Sequence, residues 1–344
     1  MNSRAATFLY LSQSDVIKCG GLDMTMVLDK VEEVLALRDR GETSMPDKIS
    51  LKWKGWDINS RINAMPGFVG GKCNTGGIKW IGSKPENPSK YGIPRASALI
   101  ILNDPETAFP ICVMDGTLIS AMRTGAVTGV GARYLARKAS RSVALIGAGA
   151  QNHTQLKAVL TVLPGIEDIR VCDLSPERVR TFIDHEKSGN PGLNFRGTTE
   201  ARDAVEGADI IISATTTLKP IVRAEWVRDG AYISNVGNYE YEYDVVRKAS
   251  KILADNWKAV IHRKNQTAAR MLMEGELQEK ELYGELGEVI NGKRPGREND
   301  REIIFFSPIG MGIEDVIVAR EIYDRAESQT VGTRLILWDE PLWV

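Results

Sequence analysis

The stretch that decides the fold runs from Val143 to Asp173, VALIGAGAQNHTQLKAVLTVLPGIEDIRVCD. It reads as an apolar strand, a glycine turn, a helix and a second strand closed by an acid. Gly147 permits a tight turn at the strand end, and Gly149 lets the backbone approach a pyrophosphate. The helix that follows turns free N–H groups and a positive dipole end toward that anion. The third glycine of the common G-x-G-x-x-G pattern is missing, with Asn152 in its place. Asp173, at the end of the next strand, is placed to bind an adenosine ribose diol and to repel a 2′-phosphate. NAD is therefore expected rather than NADP. The bland alternative is an ordinary βαβ turn that binds nothing; strand, helix and terminal acid together weigh against it.

Outward from this unit the pattern repeats. SVALIG, DIRVCD, LNFRGT, DIIISAT, AYISNVG and KILAD are strand candidates, most with helical stretches between them. Such alternation predicts a parallel sheet covered on both faces. Residues 302–328 add one more strand and a long helix, and the last residues are expected to return to the first domain. Before residue 117 the period is different. Residues 24–40 (MTMVLDKVEEVLALRDR) form an amphipathic helix stopped by Gly41. KISLKW, INSRINAMP (58–66), GGIKWIGS, SALIILND and FPICVMD are short β-rich runs separated by turns, which predicts a mostly antiparallel or mixed sheet. A small-residue helix is expected from about Thr117 to Ala136. The fold class is thus α/β: a Rossmann-type doubly wound parallel sheet domain, 125–311, plus a second α+β domain, 1–124, completed by 312–344.

The 344 residues suit two domains, and the net charge of −1 carries no long run of one sign. Neither nucleic acid nor an anionic membrane is expected as partner. No apolar run approaches the roughly 20 residues that span a bilayer. The first residues, MNSRAATFLYLSQSD, lack the apolar region and cleavage site of a signal peptide, so the cytoplasm is expected. Cys19, Cys73, Cys112 and Cys172 lie far apart, and there are three histidines; no metal site is expected.

Among the cations of the first domain, Lys79 sits inside an apolar strand between Gly77 and Gly82. It reads either as an edge residue or as a partly buried ammonium, facing a carboxylate or moving a proton. Arg123 (SAMRTGAV) is placed near the start of the helix that leads to the glycine turn, where it either makes a surface salt bridge or grips a carboxylate in bidentate fashion. Arg61 and Arg95 are weaker candidates for further carboxylates.

IKWIGSK, MRTGAV, IGAGAQ and PIGMGIEDV, in this order and over nearly the whole chain, resemble the ornithine cyclodeaminase/mu-crystallin family. The resemblance implies an NAD(P)-binding Rossmann domain and a substrate-binding domain that carries a homodimer contact. It implies a small amino-acid-derived substrate, with Lys79 and Arg123 on its carboxylate and Glu314-Asp315 as an acidic helix start near the nicotinamide. Lys79 and Asp315 are the catalytic candidates. The expected cofactor-binding set is Gly147, Gly149, Ala150, Gln151, Asn152, Asp173, Thr215 and Met311.

Members of this family cyclodeaminate ornithine, dehydrogenate alanine, reduce cyclic imines or bind ketone hormones. Cyclodeaminases carry an aspartate after a Rossmann strand where this chain has Tyr239, and Asn63 replaces a glutamate before the family's Met-Pro. Both departures count against cyclodeamination and alanine dehydrogenation. GIKWIGSKPENPSK, RASALIILNDPET and GELGEVINGKRPGREND resemble a subgroup that oxidatively cleaves a secondary amine joining a glutamate unit to a diaminopropionate unit, in siderophore and antibiotic pathways. That resemblance implies a substrate with three carboxylates, held by Lys79 and Arg123 and by Arg61 or Arg95. The general base would be Lys79, or Asp315 through water. Ornithine cyclodeamination with catalytic NAD⁺ and non-catalytic ligand binding are the competing readings.

Overall fold

A computed structural model describes residues 5–57 and 60–343. The chain divides into two compact units, Met1–Arg123 with Met311–Val344, and Thr124–Gly310. Among the described residues no helix is long and apolar enough to cross a membrane.

In the first unit the strands are β1 (Ala6–Leu11), β2 (Thr43–Ser44), β3 (Ile49–Leu51), β4 (Arg61–Val69), β5 (Thr75–Ser83), β6 (Ala96–Asn103) and β7 (Pro110–Asp115). The sheet is mixed. The C-terminal strand Thr333–Trp338 pairs antiparallel with β1, β1 runs parallel to β7, and β7, β6, β5 and β4 follow antiparallel, with β2 and β3 both on β4. Neither β1 nor the last strand stands out as a strand in the sequence, because each finds its partner far along the chain. The strand expected over 58–66 lies at Arg61–Val69; Ile58 and Asn59 are outside the described residues.

Alternation sorts the sheet's two faces. The inner face carries Met65, Val69, Thr75, Lys79, Ile100, Leu102, Cys112 and Met114, all buried. The helix Gly312–Gln329 packs on β4, β5 and β6, and the helix Met24–Asp39 packs against it. Asp23 caps the latter by accepting the Met26 N–H, and Val27, Leu28, Val31, Val34 and Leu35 form its buried stripe. Helix and sheet approach closely because small residues line the contact. A Cβ on Gly312 would stand 2.6 Å from the Met65 carbonyl oxygen, and one on Gly67 would stand 2.8 Å from Ile313 Cγ2 of the helix.

The second unit is an all-parallel sheet of β8 (Ser142–Ile146), β9 (Asp168–Cys172), β10 (Asn194–Thr198), β11 (Ile210–Ser213), β12 (Tyr232–Asn235), β13 (Lys251–Ala254), β14 (Gly284–Glu285) and β15 (Ile304–Ser307). Its order is β10-β9-β8-β11-β12-β15-β13-β14. Every residue of β8, β11, β12, β13 and β15 is buried, as a sheet covered on both faces requires. The order reverses between β8 and β11. In such sheets ligands bind beyond the carboxyl ends of the strands at this reversal.

Candidate active site

The reversal falls on the glycine turn. Gly147 has φ +99°, and a Cβ there would press at 3.1 Å on the Ala214 carbonyl oxygen, just past β11. Its N–H donates to the Cys172 carbonyl at 2.7 Å, which ties the turn to the end of β9. Gly149 starts the helix Ala150–Val162; no side chain caps it, and a Cβ there would meet nothing within 4 Å. Gly149 and Ala150 are exposed. An uncapped helix end with open space in front fits a pyrophosphate. Asp173 accepts the Ala148 N–H at 2.9 Å and the Ser175 N–H at 3.0 Å, so its carboxylate sits beside the turn. Asn152 is fully buried. Its amide donates to the Ile146 carbonyl at 3.1 Å and to that of Gly147, so this side chain braces the turn from behind. Gln151 follows Ala150 in the first turn of that helix.

Thr215 follows β11. Its N–H and hydroxyl both donate to Glu240 Oε1 at 3.0 Å. Glu240 is wholly buried, and its other oxygen accepts from Asn235 Nδ2 at 2.5 Å. Burial holds its carboxyl above the usual carboxylate range, against the pull of the groups that hydrogen-bond to it. A Cβ on Gly237 would collide with Glu240 Oε1, so the glycine makes room for the carboxylate. Glu240 thus ties the segment after β12 to the segment after β11. It was not singled out in the sequence, where it is one acid in an exposed-looking run, NYEYEYD. Its neighbour Tyr239 lies under the Arg270 guanidinium at 4.3 Å.

The first unit brings together residues far apart in sequence. Lys79 on β5 places Nζ 2.6 Å from Asp315 Oδ2 and donates to Ser120 Oγ at 3.0 Å. Arg123 donates from Nη1 to Glu314 Oε2 at 2.9 Å and from Nε to Asp315 Oδ1 at 3.1 Å. Glu314 Oε2 also accepts the N–H of Met311, a buried residue that caps the same helix. Lys79, Glu314 and Asp315 are at most 1 % exposed and Arg123 is 6 % exposed. Lys79 is therefore no edge residue, and Arg123 is no surface residue: it lies about two turns inside the helix Thr117–Leu135, not at its start. Ser120, one turn before Arg123 on the same helix face, was not anticipated.

Desolvation lowers the Lys79 pKa to about 8, helped by the Arg123 charge and opposed by Asp315 and Glu314. Burial works against the Arg123 charge as well, but the two carboxylates outweigh it and hold Arg123 above its ordinary value. The Lys79 group binds its proton less tightly folded than unfolded. Its contribution therefore favours the folded state increasingly as pH rises from about 8 toward the ordinary lysine value of 10.5. Lys79 donates to Ser120 and is ion-paired with Asp315, and the named bonds of Arg123 use two of its five N–H donors. Donors remain for an incoming carboxylate without breaking the cluster.

Register puts Arg61 on the face that carries Lys79. Lys79 pairs with Met65, Ile81 with Asn63, and Ser83 with Arg61. Asn63 is buried and accepts from Ser50 Oγ at 2.7 Å. Arg95 immediately precedes β6, whose Ala96 pairs with Ser83, so the two arginines meet near this end of the sheet. Burial lowers both of their pKa values, and for Arg61 the Arg95 charge adds to the effect.

A parallel sheet reversing at an open glycine turn with a terminal acid, and a second unit with a buried lysine, define a dinucleotide-dependent enzyme of the NAD oxidoreductase class. The chain belongs to the ornithine cyclodeaminase/mu-crystallin family, whose model matches residues 10–330. It is 39% identical over 332 residues to the N-((2S)-2-amino-2-carboxyethyl)-L-glutamate dehydrogenase of Staphylococcus aureus, covering 96% of this chain and 98% of that protein. The Thermococcus litoralis Delta(1)-pyrroline-2-carboxylate reductase, solved with NADH and L-proline, superposes with a TM-score of 0.87 at 36% identity, covering 95% of this chain and 99% of that one. An archaeal alanine dehydrogenase dimer with bound NAD gives 0.87 at 32% identity, covering 97% of this chain and 100% of that one.

Proposed function

We propose that this protein cleaves N-[(2S)-2-amino-2-carboxyethyl]-L-glutamate with NAD⁺ and water, giving 2-oxoglutarate, L-2,3-diaminopropionate, NADH and a proton. The observation that carries the reading is the row of polar groups on one face of β4 and β5, from Lys79 past Asn63 to Arg61, with Arg95 beside it. A substrate with three carboxylates matches such a row of cations. The Staphylococcus aureus relative supports the choice of substrate.

In this reading Arg123 holds the glutamate α-carboxylate, and Arg61 or Arg95 takes a distal one. Lys79 in its neutral form accepts the proton of the secondary amine, and Asp315, at 2.6 Å, stabilises the resulting ammonium. The glycine turn of Gly147 and Gly149, with Asp173 beside it, would hold NAD⁺, which would supply the acceptor for the hydride of the glutamate Cα. The C=N bond so formed takes up water, and the C–N bond breaks to release the two products. A free nicotinamide cofactor and a soluble amino-acid substrate suit the cytoplasm, with the product leading to a siderophore or an antibiotic. The outer face of the first unit's sheet exposes Ile49, Leu51, Trp80 and Leu99, which supports a homodimer like that of the archaeal alanine dehydrogenase.

The test incubates the protein with NAD⁺ and the amino-carboxyethyl-glutamate, then with ornithine and with L-alanine, following NADH, ammonia, 2-oxoglutarate and pyruvate. NADH and 2-oxoglutarate with the first substrate alone are expected. Ammonia without net NADH from ornithine, or pyruvate and ammonia from alanine, would overturn the assignment. The kcat/KM of the oxidative reaction is expected to rise with pH to a plateau above about 8, where Lys79 loses its proton. A profile flat from pH 6 to 9 removes Lys79 as the base.

Asp173→Ala is expected to raise KM for NAD⁺ by about 10- to 100-fold, since hydrogen bonds to a charged group contribute about 1.5–3 kcal/mol. Activity with NADP⁺ is expected to rise relative to NAD⁺. Because Asp173 also accepts the Ala148 N–H, Asp173→Asn separates loss of the ribose contact from loosening of the turn. An unchanged KM for NAD⁺ in both variants rejects the ribose contact.

A further inference from the structure

Of the chain's three histidines, two meet at one carboxylate in the second unit. His153 lies on the helix Ala150–Val162 that follows the glycine turn, and His185 and Glu186 lie on the helix Pro176–Gly189. Nδ1 of His153 stands 2.5 Å from Glu186 Oε1, and Nδ1 of His185 stands 3.2 Å from the same oxygen. The donor atoms of all three groups lie within 4.8 Å of one another. The cluster is braced on one side. The Phe182 ring stacks on His153 with centroids 4.1 Å apart, and Phe182 and Glu186 are buried. On the other side it is open, because the His185 side chain is 72 % exposed and that of His153 31 %. An ion can enter from solvent, and water can complete its shell.

We propose that His153, His185 and Glu186 bind one divalent transition ion of the zinc class, cross-linking the helix after the glycine turn to the next helix of the same unit. Two imidazoles and a carboxylate are a borderline donor set that suits zinc, cobalt or nickel and not magnesium or calcium. Ligands about 2.0–2.2 Å from a tetrahedral ion stand about 3.3 Å from one another. Both histidine–glutamate distances lie at or inside that spacing, and no two of the donor atoms are more than 4.8 Å apart, so closing the site requires the imidazoles to draw in toward one point beside Glu186. The ion would replace the imidazole protons now directed at Glu186. Its place is specific to the cofactor half of the chain. His153 also lines a cavity of about 340 Å³ with Ala148 of the glycine turn and with Ser175 and Arg178 at the start of the second helix. This proposal does not depend on the substrate assigned above.

The test uses the untagged full chain, stripped with a chelator and titrated with Co²⁺, then with Zn²⁺. One equivalent of Co²⁺ is expected to give visible d–d absorption without a near-ultraviolet sulfur-to-cobalt band. Zn²⁺ is expected to displace it and to raise the thermal midpoint. His153→Ala and Glu186→Gln are each expected to weaken binding by at least about tenfold, and His262→Ala is expected to leave it unchanged. His185→Ala alters an exposed side chain and keeps the test informative if Glu186→Gln fails to fold. Absence of the d–d bands, bands that survive in His153→Ala and His185→Ala, or a sulfur-to-cobalt band from the cysteines overturns the proposal.

Discussion

Lys79→Met is expected to lower turnover by about 10²–10⁴-fold, the range for a lost acid–base group, while NAD⁺ binds as before. Methionine keeps most of the lysine's length and removes its charge and donors. The glycine turn and its supports, Cys172, Asp173, Asn152 and Ala214, all belong to the second unit, whereas every named partner of Lys79 belongs to the first. Cofactor affinity is therefore spared. Stability is not. The substitution removes the lysine charge from beside the buried Asp315, and breaking such a pair costs about 3–5 kcal/mol. A lower thermal midpoint is expected alongside the kinetic loss.

The two effects are separable. The double variant Lys79→Met/Asp315→Asn removes one charge of each sign and is expected to recover much of the stability without recovering turnover. If turnover returned with stability, Lys79 would be structural only. Near-normal turnover in Lys79→Met would remove the residue from the mechanism outright. The pH profile adds a third readout, since its rise near 8 should vanish along with the lysine.

Gly312→Ala is the second large effect, and it is invisible to any reading of side-chain chemistry. The new methyl would stand 2.6 Å from the Met65 carbonyl oxygen and 3.1 Å from its carbon. Those are backbone atoms of a central strand and have no rotamer to change, so the helix must move instead. Overpacking of this kind costs about 1–3 kcal/mol. The kinetic cost is larger. Met65 is the register partner of Lys79, and Gly312 opens the helix that carries Glu314 and Asp315. Pushing that helix from β4 pulls the carboxylates from the lysine, and a misplacement of about 1 Å costs about 10²-fold in rate. Gly189→Ala is the matched control, because a Cβ there meets nothing within 4 Å. Normal kcat and thermal midpoint in Gly312→Ala would show that helix and strand have slack the close contact does not suggest.

Much of this protein was legible in sequence wherever the cause is local. The strand at Ser142–Ile146, the turn at Gly147 and the helix from Ala150 follow from period, glycine placement and dipole, all set within a few residues. The repeated strand–helix alternation similarly foretold a parallel sheet. Lys79, Arg123 and Asp315 could be named one by one, through the resemblance of their motifs. What could not be read was their mutual contact. Alone, Lys79 was compatible with a sheet edge, and Arg123 with a surface salt bridge.

Only the tertiary structure decided those questions. Register places Lys79 opposite Met65, and Gly67, Gly77 and Gly312 let the helix Gly312–Gln329 come close enough for Asp315 to reach the lysine. The same holds for β1 beside β7, for Glu240 between the segments after β11 and β12, and for two histidines on one glutamate. The sequence by itself determined the glycine turn and the alternation, because hydrogen bonds and periodicity act between near neighbours on the chain. The charged core waited on the fold, because an ion pair is stable away from water only where the whole packing removes water and brings the opposite charge within reach.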